Sequence, residues 1–90
     1  MAGDLPFARK IRTSDSARKM FPVFVETVPE AIDLVQELPR ELRSEWHWQD
    51  AQKALWAALD NLGNKYLLQA AEDALCVALR AEDWLNEFTN

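Results

Sequence analysis

The stretch from Asp50 to Arg80 constrains the fold of this chain most, because it predicts two helices joined by a tight turn. Apolar residues recur at helical spacing in the first arm and fill much of the second. Between the arms, Asn61-Leu62-Gly63-Asn64 interrupts both patterns. We expect Gly63 to end the helix of the first arm and Asn64 to cap the helix of the second arm. This hairpin settles much of the architecture and carries no catalytic motif.

The second arm of the hairpin is predicted to be the centre of the packing. On a helical wheel at ~100° per residue, alanines dominate one side, leucines flank one edge, and Tyr66 and Val77 flank the other. The alanine side comprises Leu67, Ala70, Ala71, Ala74, Ala78 and Ala81, and the leucine edge comprises Leu68, Leu75 and Leu79. An apolar arc this wide predicts contact with two layers. The spacing of Trp84, Leu85 and Phe88 extends the helical pattern beyond Arg80.

Two segments near the N-terminus predict strands. Residues 5–13 alternate weakly between apolar and basic side chains. Residues 21–26 are the stronger strand, in which Phe21 and the β-branched Val23 and Val25 share one face. Together these segments predict a two-stranded antiparallel β-hairpin, which needs a layer of helices over one face to be stable.

The first helix is predicted to begin at Thr27-Val28-Pro29-Glu30, which has the spacing of a capping box. In that motif the Thr27 side chain accepts from the Glu30 amide, and Glu30 reaches back to the Thr27 amide. An apolar stripe follows, consisting of Ala31, Leu34, Val35 and Leu38. Pro39 ends this helix, and residues 40–43 add one helical turn. The predicted fold class is therefore α+β, with the hairpin followed by three helices and the third helix central.

The length of 90 residues predicts a single domain over residues 1–90, with a core over 5–88 and a flexible segment at 1–4. Cys76 is the only cysteine, so a disulfide framework is excluded and the chain gives no sign of an oxidising compartment. We see neither a secretory signal at the start nor an apolar run long enough for a membrane span. The expected location is the cytoplasm.

The net charge of −5 is distributed unevenly, because the N-terminal segment (residues 1–19) is basic and the rest of the chain (residues 20–90, the acidic body) is acidic. Residues 1–19 contain five basic and two acidic residues, whereas residues 20–90 contain five basic and thirteen acidic residues. The five basic residues at the N-terminus are candidate contacts for a polyanion, with Phe7 placed to stack on a base; they are Arg9, Lys10, Arg12, Arg18 and Lys19. The alternative is a solvated edge strand whose charges discourage aggregation. The acidic body makes nucleic acid the less favoured partner and disfavours a membrane surface.

Three tryptophans are the candidate contacts for a protein partner: Trp46, Trp48 and Trp56. If residues 46–48 are extended, the rings of Trp46 and Trp48 share one side and His47 points away. The alternative is that one or both of these rings fold back over a small core that needs large aromatic side chains. Trp56 lies off the apolar face of its helix, so it either packs against the first helix or forms a contact surface.

Catalytic and metal-binding residues are sparse. His47 and Cys76 are the only histidine and cysteine and lie roughly thirty residues apart, so we expect no metal and no cofactor. Cys76 falls on the polar arc of the third helix, near Glu72 and Asp73, where adjacent carboxylates should raise its pKa. We expect an exposed, unreactive thiol rather than a nucleophile. A catalytic role for Cys76 or for a carboxylate pair is the third-ranked hypothesis for function.

Several short motifs resemble a family of small bacterial proteins of unknown function that is abundant in rhizobia and related alphaproteobacteria. The motifs are Pro22-Val23-Phe24-Val25, Thr27-Val28-Pro29-Glu30-Ala31, Ala58-Leu59 followed by Gly63, and Ala70-Ala71-Glu72-Asp73-Ala74. The likeness spans roughly residues 20–81. This chain departs from the family in having Leu38-Pro39 instead of Trp-Pro, and Leu68 where a Phe is common. The resemblance implies a small α+β fold and no established activity or functional residues.

The sequence therefore favours a small, non-enzymatic interaction or accessory domain that binds a protein partner or a second copy of itself. A homodimer would form by pairing hairpin edges or by burying Trp56. The alternative function is that of a nucleic-acid-binding accessory protein that uses the basic N-terminal segment.

Overall fold

The structure, a computed structural model, describes residues 5–86, so the predictions for residues 1–4 and Phe88 lie outside the described residues. Strand β1 spans Pro6–Arg12 and strand β2 spans Phe24–Thr27, with a 3-10 turn at Asp15–Ala17 between them. The helices are α1 (Val28–Gln36), α2 (Arg40–Arg43), α3 (Trp46–Asp60) and α4 (Lys65–Ala81). The α+β prediction is confirmed, and α2 is the predicted extra turn.

The two strands form an antiparallel sheet in which Ile11 pairs with Val25 and Arg12 with Phe24. Ile11 and Val25 are buried against the helices, whereas Arg12 and Phe24 face outward. The prediction that Val23 shares the buried face was wrong, because Val23 is 42% exposed. The regular strand begins only at Phe24, so the alternation of buried and exposed side chains does not extend back to Val23.

The segment after α4 pairs with the end of β1 instead of continuing as helix. Helix α4 ends at Ala81, and Asp83 adopts a left-handed backbone with φ of 62° that turns the chain. The Ser14 amide then donates to the Trp84 carbonyl at 2.7 Å, and the Asn86 amide donates to the Arg12 carbonyl at 3.0 Å. The predicted helical continuation was therefore wrong, and the end of β1 lies between β2 and residues 84–86.

Local capping signals set the ends of the helices. The Thr27 hydroxyl accepts from the Glu30 amide at 3.3 Å, as the capping box predicts. The Glu30 carboxylate, however, accepts from the Glu26 amide at 3.0 Å and not from that of Thr27. The Asn64 side chain accepts from the first amides of α4, and Gly63 takes a φ of 90° in the preceding turn. The predicted helical hairpin is confirmed.

Helix α4 packs along α3 on one side and across β1 on another, so the predicted two-layer contact is present. The predicted apolar arc of α4 is buried over its central part, at Ala71, Leu75, Ala78 and Leu79. Leu75 and Leu79 lie fully buried at its centre, whereas Ala70 and Ala81 are exposed and Tyr66 is 88% exposed.

Candidate protein-contact face

The three candidate tryptophans do not form one surface, because α3 begins at Trp46 and not at Asp50 as predicted. Residues two apart on a helix point about 200° apart, so Trp46 and Trp48 face in nearly opposite directions. Trp46 is 64% exposed and Trp48 is fully buried. The interpretation of residues 46–48 as extended was wrong, and Trp48 is not accessible as a contact residue.

Trp48 is instead the centre of a buried aromatic cluster. Its ring stacks on Phe21 with a centroid distance of 6.0 Å and lies 6.1 Å from the Trp84 ring. Its indole Nε1 donates to a carboxylate oxygen of Glu82 at 3.2 Å. These contacts join α3 to the turn before β2 and to the segment after α4, so Trp48 stabilises the fold.

His47 is also buried and completes the polar edge of this cluster. Its Nε2 lies 3.1 Å from the same Glu82 oxygen that accepts from Trp48. Its ring packs between Trp46 at 5.5 Å and Trp48 at 5.9 Å. His47 therefore does not point away from the two tryptophans, as an extended chain would require. The contact of its Nε2 with the Glu82 carboxylate holds the His47 ring against the aromatic cluster.

Trp46 and Trp56 lie on the outer face of α3, at its first residue and about one turn before its last residue. With ~100° per residue, this face carries side chains at alternating spacings of three and four residues, the pattern of a helix seam. The outer face consists of Trp46, Gln49, Lys53, Trp56 and Asp60, all of them exposed. Trp56 is 42% exposed. The two indoles lie about 15 Å apart along the helix axis, given a rise of ~1.5 Å per residue.

A shallow groove runs along this face and is completed by α2. Its lining residues are Arg43, Gln49, Gln52, Lys53, Trp56, Ala57 and Asp60. Arg43 is the α2 residue of this lining, and its Nε is buried without a hydrogen-bond partner among residues 5–86. A buried guanidinium N–H without an acceptor is unfavourable, and a carboxylate oxygen is its strongest partner. The groove therefore combines the indole of Trp56 with the exposed charged side chains of Lys53 and Asp60, while the chain itself covers the Arg43 Nε.

The basic N-terminal residues are exposed, but they do not surround the predicted stacking ring. Arg9, Lys10 and Arg12 lie along β1, whereas Phe7 is buried and cannot stack on a base. The exposed ring is that of Phe24, and the Lys10 Nζ lies 5.2 Å from its centroid. Phe24 was not predicted as an exposed ring, because the pattern of residues 21–26 assigns a shared face only to Phe21, Val23 and Val25.

The two remaining basic residues follow β1. Arg18 donates to the Thr13 hydroxyl at 2.8 Å and pairs with Asp15 at 3.3 Å. Lys19 is exposed in the turn that leads to β2. Arg18 therefore stabilises the turn after β1. The other four basic side chains of this segment are exposed; they are Arg9, Lys10, Arg12 and Lys19.

Cys76 is half-buried and not fully exposed as predicted. Burial, followed by the charges of Glu72 and Asp73, raises the pKa of its thiol to about 11, against smaller opposing effects of Arg80 and Arg9. The thiol is therefore protonated at neutral pH, which disfavours nucleophilic chemistry. Glu72 is buried beside it, with one carboxylate oxygen unpaired among the described residues.

Residues 5–86 contain no group of three or more His, Cys, Asp or Glu side chains arranged to hold a metal ion. None of the helices in the same range has the length and apolar character needed to cross a bilayer.

Comparison of the chain with protein-family models, with curated protein sequences and with solved structures finds no match. The resemblance to the rhizobial family therefore stays a prediction from its short motifs.

Proposed function

We propose that this chain is a small, non-enzymatic interaction domain that contacts another protein chain through the outer face of α3. The observation that carries the proposal is the exposure of Trp46 and Trp56 on one face of one helix. Tryptophan is enriched among the residues that dominate binding at protein interfaces, because it removes a large apolar area from water on contact. A partner that covers both indoles would gain this free energy.

The core of the domain does not require these two rings. Phe21, Trp48 and Trp84 already form the buried and half-buried aromatic cluster. Trp46 and Trp56 are not part of this cluster, and they remain 64% and 42% exposed. Their retention at the surface is therefore better explained by contact with a partner than by packing.

Nucleic-acid binding through the basic segment is the less favoured function. Lys10 and Arg12 flank the exposed ring of Phe24, which supports a contact with a base or a phosphate. However, the Lys10 ammonium already lies over that ring, and residues 20–90 are strongly acidic. A long polyanion would be repelled by this body. The single cysteine supports a cytoplasmic site of action for either function.

The proposal is tested by using the tagged chain as bait in native extract and comparing three variants. Trp46→Ala and Trp56→Ala should each reduce the recovery of a specific partner, because each removes one of the two exposed indoles. Tyr66→Ala is the matched control, since Tyr66 is an exposed aromatic residue on α4, outside this face. Equal recovery with all three variants, or loss with Tyr66→Ala alone, would contradict the proposal.

A further inference from the structure

The β-hairpin carries cations and an aromatic ring on the side that the helices leave uncovered. Ile11 and Val25 are buried in the core, so Lys10, Arg12 and Phe24 point away from it. Arg12 lies directly across from Phe24 in the sheet, and the Lys10 Nζ lies 5.2 Å from the centre of the Phe24 ring. These three exposed residues form the outer hairpin face.

The cations of this face have no acidic partner among the described residues. Neither Lys10 nor Arg12 forms an ion pair within residues 5–86. Arg9 and Lys19 add two further exposed cations to the same hairpin. Phe24 remains 38% exposed beside them. A surface that combines unpaired cations with an exposed ring is complementary to a partner that carries both carboxylates and apolar groups.

We propose that the outer hairpin face binds an acidic, extended segment of another protein. Residues two apart in an extended chain point to the same side and lie ~6.8 Å apart, which is also the spacing of Lys10 and Arg12 along β1. Two carboxylates at alternate positions of such a segment therefore meet the ammonium and the guanidinium together. An apolar side chain next to them covers the ring of Phe24. This surface is different from the outer face of α3, so the two contacts are independent.

The partner contacts side chains, because the backbone edge of β2 is largely closed. The Thr13 amide donates to the carbonyl of the residue before Phe24, so the backbone groups of Phe24 itself point to the open edge. On either side, Pro22 has no N–H, and the Glu26 amide already donates to the Glu30 carboxylate at 3.0 Å. The edge offers a partner strand little beyond the backbone of Phe24, which makes contact through side chains the more favourable mode.

An acidic protein segment fits this face better than a nucleic acid. The Lys10 ammonium lies over Phe24, so a base could stack on the ring only after displacing it. A carboxylate can approach the same ammonium from the water side while its contact with the ring is kept. Residues 20–90 contain five basic and thirteen acidic residues, which repel a long polyanion more strongly than a segment with two or three charges.

Protection of an open sheet edge does not account for Arg12. Residues 84–86 already pair with the end of β1, and the Asn86 amide donates to the Arg12 carbonyl at 3.0 Å. This part of the edge is therefore closed to an aggregating strand without the help of a charge.

Fluorescence anisotropy of a labelled seven-residue peptide tests the inference. The probe is Glu-Ser-Leu-Ser-Glu-Ser-Glu, which places its Glu and Leu side chains on one side when extended. We expect it to bind the full chain in about 20 mM salt with a dissociation constant on the order of 100 µM. In about 150 mM salt the affinity should fall at least about threefold, because the charges are exposed and screened. The same peptide with Gln in place of Glu should not bind.

Charge reversal locates the site. Lys10→Glu and Arg12→Glu should each weaken binding of the Glu peptide at least about fivefold, because each replaces an attraction by a repulsion. Lys65→Glu makes the same change in net charge on α4 and should alter the affinity less than about twofold. The double variant Lys10→Glu/Arg12→Glu should bind a peptide with Lys in place of Glu at least about threefold more tightly than wild type does. Circular dichroism of each variant excludes loss of folding as the cause.

Three outcomes of the binding experiments would overturn the inference. They are no binding of the Glu peptide at up to about 500 µM protein, equal weakening by Lys65→Glu and Arg12→Glu, and tighter binding of a single-stranded oligonucleotide of equal charge. The last would assign the face to nucleic acid. Self-association of the chain that Arg12→Glu abolishes would assign it to a second copy and overturn the inference as well. None of these outcomes bears on the α3 face, whose test uses Trp46→Ala and Trp56→Ala.

Discussion

The indole Nε1 of Trp48 lies 3.2 Å from a carboxylate oxygen of Glu82, and this hydrogen bond joins the first turn of α3 to the residue that caps α4. Trp48 is fully buried, so its N–H cannot bond to water instead. The turn at residues 61–64 connects these helices at one end. Glu82 connects them at the other end, which fixes the relative positions of both helices along their length.

Removal of the Glu82 carboxylate should destabilise the domain. Glu82→Ala leaves the buried Trp48 N–H without an acceptor, and we expect a loss of about 1–3 kcal/mol in the free energy of unfolding. Glu82→Gln keeps an acceptor oxygen and should lose less. Urea unfolding followed by tryptophan fluorescence measures both changes. Glu41→Ala, an exposed carboxylate on α2, is the control, and equal unfolding midpoints for Glu82→Ala and Glu41→Ala would refute the role assigned to Glu82.

The two tryptophans at the start of α3 should differ sharply in their effect on stability. Trp48→Ala empties the centre of the aromatic cluster, and loss of a buried tryptophan costs about 3–5 kcal/mol. That is comparable to the whole stability of a small domain, so this variant should be largely unfolded. Trp46→Ala removes an exposed ring and should stay within about 0.5 kcal/mol of wild type.

Trp48→Phe keeps the experiment informative if Trp48→Ala does not fold. It retains a ring in the cluster and loses the hydrogen bond to Glu82. We expect it to fold with an unfolding midpoint clearly below that of Trp46→Phe. Thermal unfolding of this pair decides the point, and indistinguishable midpoints would mean that the buried position of Trp48 is incorrect.

The buried hydroxyl of Thr13 should be needed for the hairpin. It donates to the Pro22 carbonyl and accepts from the Arg18 Nη1 at 2.8 Å. Thr13→Val keeps the shape of the side chain and removes both bonds, so we expect a loss of about 1–3 kcal/mol by chemical denaturation. Thr13→Ser keeps the hydroxyl and should lose less. A Thr13→Val variant as stable as Thr13→Ser would show that the hydroxyl contributes nothing.

The thiol of Cys76 should react slowly in the folded chain. Burial first, and then Glu72 and Asp73, raise its pKa to about 11. The folded state therefore holds the proton more tightly than the unfolded state, whose thiol pKa is about 8.5. The associated stability is complete below pH ~8.5 and is lost as the pH rises towards 11. Alkylation by iodoacetamide between about pH 7 and 10 should be slower in native buffer than in denaturant.

Glu72→Gln is the control for the electrostatic part of this effect. Removal of the neighbouring charge should lower the pKa of Cys76 and speed its alkylation at a given pH. Exposed Lys65→Gln, at the start of α4, should leave the rate unchanged. Native alkylation as fast as that of the denatured chain would contradict the burial of Cys76.

The elements predicted correctly are those whose signals are local. The side chains of Thr27 and Asn64 cap helices within three residues of themselves, so the sequence around them defines where α1 and α4 begin. The start of α3 has no such signal, because Glu45 makes no side-chain cap. It is stabilised instead by the contact of Trp48 with Glu82, which is distant in the sequence.

The candidate site was predictable in part for the same reason. Trp56 falls in the middle of a clear helical pattern, so the wheel alone places it off the buried face. Trp46 and Trp48 lie where the secondary structure was misassigned, and one error in this assignment changes which ring faces water. Arg43 completes the groove from another helix, and no spacing rule within a single helix could have identified it.

The pairing of Thr13 with Leu85 has a consequence for synthesis of the chain. A nascent chain emerges from its N-terminus, so β1, β2 and the helices leave the ribosome before residues 84–86. Until those residues dock, the end of β1 presents an open edge and Phe21 lacks its contact with Trp84. The pairing of residues 84–86 with the end of β1 can therefore form only after all four helices have been synthesised.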